Sequence, residues 1–256
     1  MVVSFKSWRS YHDFQRAVHT KQRYILDDES KNFLNSIIKT CKGRETEVKA
    51  GSILWRAQNG HDWKPYYQED PDTREDIHVD DIPSPFSIER MKPLTGSALE
   101  GRANPKGIPC LYVATDKKTA MSEVRPWLGA IISIGQFEII NDLKVLDFSV
   151  EHGSKHNLGL YFRKPTNKET LNAVWRDIDN AFSEPTRASD SKSDYAPTQI
   201  ISEFIKSKGY DGIAYKSSLA EGHNLALFNL ESAKVVGRSV YKTSSIKFEF
   251  EPVEEN

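Results

Sequence analysis

The sequence predicts an α+β fold, a β core with flanking helices. Helical and strand-like patterns are interspersed along the 256 residues without a regular strand–helix–strand rhythm, which argues against a doubly wound sheet. Hydrophobic residues make up 38% and charged residues 28%, the balance of an ordinary globular chain long enough to bury a real core.

The elements follow in order. Tyr11, Phe14 and Val18 fall at helical spacing, predicting a helix over about 11–20. Asp27, Asp28 and Ser30 offer caps and favourable charge for a second helix, whose face is Phe33, Ile37 and Cys41 and whose end is Gly43. These form an N-terminal helical pair, a 1–50 extension ahead of a main domain over 51–250. Residues 52–57 read as a strand carrying Arg56. Residues 58–100 hold Pro65, Pro71, Pro83, Pro85 and Pro93 and an acidic stretch without clean periodicity, so a long loop is predicted there.

Residues 101–109 read as a turn and 110–114 as a strand. Thr115 or Asp116 caps a short helix carrying Glu123, and Pro126 stops it at Arg125. Residues 131–140 and 143–148 read as strands joined by Asn141-Asp142. A polar insert spans 151–195, with one helix near 168–182. Pro197 opens a further helix with Ile200, Ile201, Phe204 and Ile205 on one face, ended by Gly209. Strands at 212–217, 224–228, 235–241 and 245–250 complete the β content, and an acidic tail follows.

Several function classes are disfavoured. The formal net charge of −1 carries no basic surplus for nucleic acid. No apolar run approaches a membrane span, and the first residues lack a signal-peptide core, so a cytoplasmic protein is expected. The two cysteines, Cys41 and Cys110, read as reduced, buried small hydrophobes. Phosphate-loop, dinucleotide-turn and esterase-elbow motifs are missing. His152 and His156 have a spacing that zinc sites use, but Gly153 weakens the helix they would need, so no metal is expected.

Three blocks carry candidate chemistry. In Leu54-Trp55-Arg56-Ala57-Gln58 an arginine lies within an apolar strand; it is either one half of an internal ion pair or an anion site. In 101–123, Arg102 sits in a turn with Gly101, Asn104 and Gly107 that can present backbone N–H groups to an anion. Tyr112 lies mid-strand on the face of Cys110 and Ala114, and alone reads as core filling. Glu123 flanks Ala120 and Val124, the buried positions of its helix; it either points into a cleft or pairs with Lys118 or Arg125 at the surface. In the third block, Ser217 closes a short strand and alone reads as a turn hydroxyl.

Taken together, these residues resemble the RES family, named for an arginine, a glutamate and a serine in this order. The similarity covers about 50–150 and 195–230. It rests on Gly-Arg-x-Asn-x-x-Gly from Gly101, then Tyr112, then Glu123 before Arg-Pro-Trp, then Asp-Gly-Ile-x-Tyr-x-Ser ending at Ser217 with a following Gly-x-Asn. Ala103 stands where family members often carry an aromatic residue and Lys216 where many carry Pro, which leaves Ser217 and Ser218 as alternatives. The resemblance implies an ADP-ribosyltransferase-like split, curved β core and a toxin that cleaves the nicotinamide–ribose bond of NAD⁺. It also implies a cognate antitoxin. NAD⁺ would be substrate rather than cofactor. Glu123, Ser217 and Tyr112 form the implied catalytic set; Arg56, Arg102, Tyr112 and Asn104 form the substrate-binding set. Water, phosphate or a side chain of a protein target are the open acceptors, and a non-catalytic NAD-binding module is the alternative from another class.

Overall fold

The computed structural model describes residues 4–150, 152–153, 162–184, 192–247 and 249. In chain order the helices are α1 (Ser10–Thr20), α2 (Asp28–Thr40), α3 (Ile88–Met91), α4 (Lys117–Glu123), α5 (Asn167–Ser183) and α6 (Ala196–Ser207). The strands are β1 (Glu45–Val48), β2 (Ile53–Asn59), β3 (Asp62–Glu69), β4 (Asp76–Ser84), β5 (Leu111–Ala114), β6 (Ile131–Ile139), β7 (Leu143–Asp147), β8 (Gly212–Lys216), β9 (His223–Leu227) and β10 (Ala233–Lys242).

Eight strands form one mixed sheet in the order β1-β7-β8-β9-β5-β2-β6-β10, while β3 and β4 pair only with each other. Only β7 and β8 run parallel. Most neighbours share four or more residue pairs, but β5 and β2 meet through a single pair, Trp55↔Ala114. The sheet is therefore split there, and its two halves diverge beyond that one rung.

Alternation along the strands builds two cores. Tyr112 of β5, Ile213 and Tyr215 of β8, Ala226 of β9 and Leu146 of β7 pack on the side of the large helices. Leu111 and Val113, Ala214, Leu225 and Leu227, and Leu143 and Val145 belong to the other cluster, with Leu54, Phe86, Met91 and Phe137. This is the period-two pattern of strands buried on both faces. On the helical side α5 supplies Trp175, Ile178 and Phe182, all essentially sealed from solvent.

The helical pair expected within 1–50 is α1 and α2, and it packs into the main core. Phe14 and Phe33 stack at 4.7 Å, and both belong to the same core as Trp175 and Ile201. The same segment adds β1 to the sheet edge, against β7. The segment 58–100 is not one long loop. It continues β2 to Asn59, folds the β3–β4 hairpin and adds α3. The prolines fit because both strands of a two-stranded sheet are edges, so Pro65 and Pro83 sacrifice no interior ladder bond. The acidic turn closes on Asp70, whose Oδ1 accepts from the N–H groups of Asp72 (2.7 Å) and Thr73 (3.2 Å). Finally, residues 245–247 and 249 carry no strand; Phe248 and Phe250 of that expected strand lie outside the described residues. The helix expected near 168–182 is α5, begun by a reciprocal cap between Thr166 and Glu169.

Candidate active site

Where β2 and β5 part, a cavity of about 230 Å³ opens. Its walls are Trp55, Arg56 and Ala57 of β2, Tyr112, Val113 and Ala114 of β5, Ala120, Glu123 and Val124 at α4, Tyr215 of β8 and Asn224 of β9. A larger groove of about 1040 Å³ runs between α1 and α2, but none of the predicted site residues lines it. Much of its charge is already paired, as in Lys6–Glu29 and Arg16–Asp13.

Glu123 is delivered by α4. Asp116 caps that helix as expected, its Oδ1 accepting from the Thr119 N–H at 2.9 Å. The helix ends at once after Glu123: Val124 is its cap, and Arg125, before Pro126, takes a left-handed φ of 45°. A carboxylate in the last helical turn faces the negative end of the helix dipole, so helix stability alone does not favour it there. Two donors from outside the helix hold it. Ser217 Oγ and Asn224 Nδ2 each donate to Glu123 Oε1 at 2.7 Å. Oε2 has no such bond among the described residues. Ser217, not Ser218, is thus the serine that reaches the glutamate. Ser217 is buried and Ser218 exposed. The turn-hydroxyl reading of Ser217 holds as well, because its Oγ accepts from the N–H groups of Leu219 and Ala220.

The register between α4 and the loop after β8 is fixed by a contact that only glycine permits. The Gly222 N–H donates to Thr119 Oγ1 at 3.1 Å, and a Cβ at Gly222 would lie 2.1 Å from Asp116 Oδ2 and 2.3 Å from Thr119 Oγ1. Sequence reasoning quoted the Gly-x-Asn motif but did not assign Asn224 to the site. The motif was the signal: Gly222 lets the loop close on α4, and two residues later Asn224 reaches the carboxylate.

Arg56 is not one half of an internal ion pair among the described residues. The Nε and Nη1 atoms are sealed from solvent and have no hydrogen-bond partner. Burial pulls its pKa down, yet a guanidinium does not deprotonate in a protein, so the charge stays. An uncompensated charge in a sealed position is one of the costliest arrangements a fold tolerates.

Arg102 behaves in the opposite way. Its two terminal nitrogens donate to the carbonyls of Ala181 and Glu184 at the end of α5, and its guanidinium faces the Tyr195 ring at 5.9 Å. Such a cation satisfies orphan carbonyls at a helix C-terminus. Arg102 does not line the cavity.

Asn104 likewise organises structure rather than ligand. It is buried, its Nδ2 donates to the carbonyls of Leu99, Pro105 and Ile108, and its Oδ1 accepts from the Tyr112 hydroxyl at 2.7 Å. That hydroxyl also accepts from the Ala103 N–H at 2.9 Å, and a Cβ at Gly101 would stand 2.5 Å from it. The Gly-Arg-x-Asn turn is thus a clamp on the far end of Tyr112, leaving the ring as cavity wall. Tyr215, which the sequence reading did not assign, forms another part of the wall. Burial first, and the Glu123 carboxylate next, hold its phenol well above the ordinary tyrosine range. Outside the lining, Lys117 Nζ lies 4.6 Å from the Trp55 ring and 3.1 Å from the Tyr241 hydroxyl.

The remaining candidates stand apart. Cys41 and Cys110 are free and buried, and burial pushes the Cys110 thiol up to about 12, which suits a core residue and not a nucleophile. His152 Nδ1 lies 2.5 Å from Asp179 Oδ2, while His156 is outside the described residues. No cluster of three metal-ligating side chains occurs among the described residues. No helix among them is long and apolar enough to cross a membrane.

Comparison with known proteins adds three findings. No curated relative matches. The chain is similar in structure to a chain in the crystal structure of the M. tuberculosis MbcT–MbcA toxin–antitoxin complex, at a TM-score of 0.42 and 13% identity, covering 81% of this chain and 93% of that one. A sequence model of the RES domain matches residues 78–251, which takes in Tyr112, Glu123, Ser217 and Asn224 and begins after Arg56. With about two thirds of its length inside that match, the chain belongs to the RES domain family.

Proposed function

We propose that this protein breaks the nicotinamide–ribose bond of NAD⁺, consuming it as substrate. One observation carries the reading: a carboxylate held by two donors, Glu123, and a guanidinium with two buried, unpartnered nitrogens, Arg56, line the same cavity at the split of the sheet.

Cleavage sends the electron pair of the C1′–N bond to the nicotinamide nitrogen and leaves positive charge on the ribose, an oxocarbenium-like state as in glycoside cleavage. Negative potential must meet that charge. The free Oε2 of Glu123 supplies it, either through space or by gripping a ribose hydroxyl, while Ser217 and Asn224 fix the carboxylate through Oε1. Preorganised charge of this kind is worth roughly 3–4 kcal/mol, or about 10²–10³ in rate. Arg56 takes a phosphate, for which its planar fork is suited. The rings of Tyr112 and Tyr215 flank the planar base. An acceptor oxygen then adds to C1′ and releases its proton; with water the products are nicotinamide and ADP-ribose. Membership of the RES family supports a toxin acting in the cytoplasm and restrained by an antitoxin.

A second reading, transfer of ADP-ribose to a protein, is favoured by the β3–β4 hairpin. It exposes Trp63, Tyr67 and Val79, and its root is tied to the cavity wall by Asn59 Nδ2 donating to the Val124 carbonyl at 2.7 Å. Purified protein with NAD⁺ tests both readings. Nicotinamide with free ADP-ribose supports hydrolysis, a phosphorylated product formed only with phosphate supports phosphorolysis, and label fixed to protein supports transfer. Absence of nicotinamide under all three conditions contradicts the proposal.

A further inference from the structure

From the dimensions and charge of the cleft we infer that its recognition unit is the nicotinamide mononucleotide half of the substrate, so that the protein also cleaves free nicotinamide mononucleotide. This rests on the reading of the cleft as a nicotinamide–ribose cleavage site and narrows the substrate class that site accepts.

Three observations carry it. The cavity holds about 230 Å³, below the roughly 300 Å³ at which pockets for drug-sized ligands begin. That space is on the scale of a base, a ribose and one phosphate, so a whole dinucleotide extends out of its open side. The lining contains one cation, Arg56. Its Nε and Nη1 are buried and without a hydrogen-bond partner among the described residues, which leaves this one guanidinium to answer a single phosphate group. The second cation expected from the sequence, Arg102, is tied to the carbonyls of Ala181 and Glu184 and is absent from the lining, so no other cation among the described residues of the lining answers a second phosphate. The reacting bond, the carboxylate and the unpaired guanidinium all serve the mononucleotide half, and the adenylate half projects beyond the cavity.

The reaction on the smaller substrate balances in the same way. The C1′–N bond breaks with its electron pair going to nicotinamide, a water oxygen bonds to C1′ and passes its proton to solvent, and ribose 5-phosphate is left.

The experiment measures nicotinamide release by the full chain from NAD⁺, nicotinamide mononucleotide and nicotinamide riboside. Expected are kcat/KM values for the first two within about tenfold. The riboside, lacking the phosphate, should be about 10- to 100-fold slower, the span of one charge-assisted hydrogen-bonded contact. Arg56→Met should bring the mononucleotide down toward the riboside rate, with a melting curve reporting whether the variant is folded. If it does not fold, Arg56→Lys decides, with the mononucleotide-to-riboside ratio expected to fall in part. NAD⁺ cleaved more than about 100-fold faster than the mononucleotide overturns the inference alone, as does equal turnover of mononucleotide and riboside. No release from any of the three overturns the reading of the cleft itself.

Discussion

The turn at 101–104 and the floor of the cleft use the same kinds of polar residue to opposite ends. In the turn every strong group is answered. Arg102 caps α5, Asn104 bonds three carbonyls and the Tyr112 hydroxyl, and Gln199 closes the loop through the carbonyls of Gly101 and Asn104. In the cleft, Arg56 is sealed without a partner, and Glu123 has only one oxygen engaged. Buried polar groups are nearly always satisfied in a folded protein. The turn therefore reads as architecture and the cleft as a place where stability is given up for a ligand.

The sharpest way to break this comparison is to treat the two arginines alike. Arg56→Met removes an unanswered buried charge and should raise stability by about 1 kcal/mol while lowering nicotinamide release by about 10- to 100-fold. Arg102→Met removes charge-assisted bonds to two helix-end carbonyls and should lower stability by about 1.5 kcal/mol with turnover of the folded protein unchanged. Thermal melts with matched kinetics read both, and the same direction of change in the two variants would erase the distinction. A smaller effect sharpens the view of Glu123. Asn224→Ala leaves Oε1 held by Ser217 alone and should lower kcat about tenfold with little change in KM, because the lost contact orients the carboxylate rather than the substrate. A rise in KM at constant kcat would make Asn224 a substrate ligand instead.

The smallest effect lies outside both regions. His12 of α1 is 3.3 Å from Asp177 of α5, which Arg176 also approaches, and the hydrogen bond to Asp177 raises the histidine above its ordinary value of 6.5. A raised native pKa means that this contact stabilises fully below about pH 6.5 and is lost as pH climbs through the native value. His12→Gln should flatten that portion of the Tm-against-pH curve and leave nicotinamide release untouched.

What the sequence made legible follows the same division. The helices α2 and α6 were readable because each buries one face, and the end signals and apolar spacing read for them agree with the structure. The β3–β4 hairpin was not. Its residues are exposed nearly throughout, so no alternation between core and solvent marks it, and its prolines read as breakers. Strand β1 escaped for the same reason, with three of its four residues exposed. In the site, Arg56, Tyr112, Glu123 and Ser217 were placed on the right elements and meet at one cavity or beside it. Arg102 and Asn104 lie away from that cavity, and a turn sequence does not tell which way a long side chain leaves the backbone. The carbonyls that claim Arg102 lie some eighty residues away, at Ala181 and Glu184.

The central claim is that Glu123 acts on the substrate as a charge. Glu123→Gln retains an oxygen to accept from Ser217 and Asn224, so fold and cleft are preserved, and it relieves the unfavourable position at the helix end. Its rate of nicotinamide release from NAD⁺, measured beside a melting curve, should fall about 10²–10³-fold at an equal or higher Tm. Full activity in a folded Glu123→Gln protein would contradict the account.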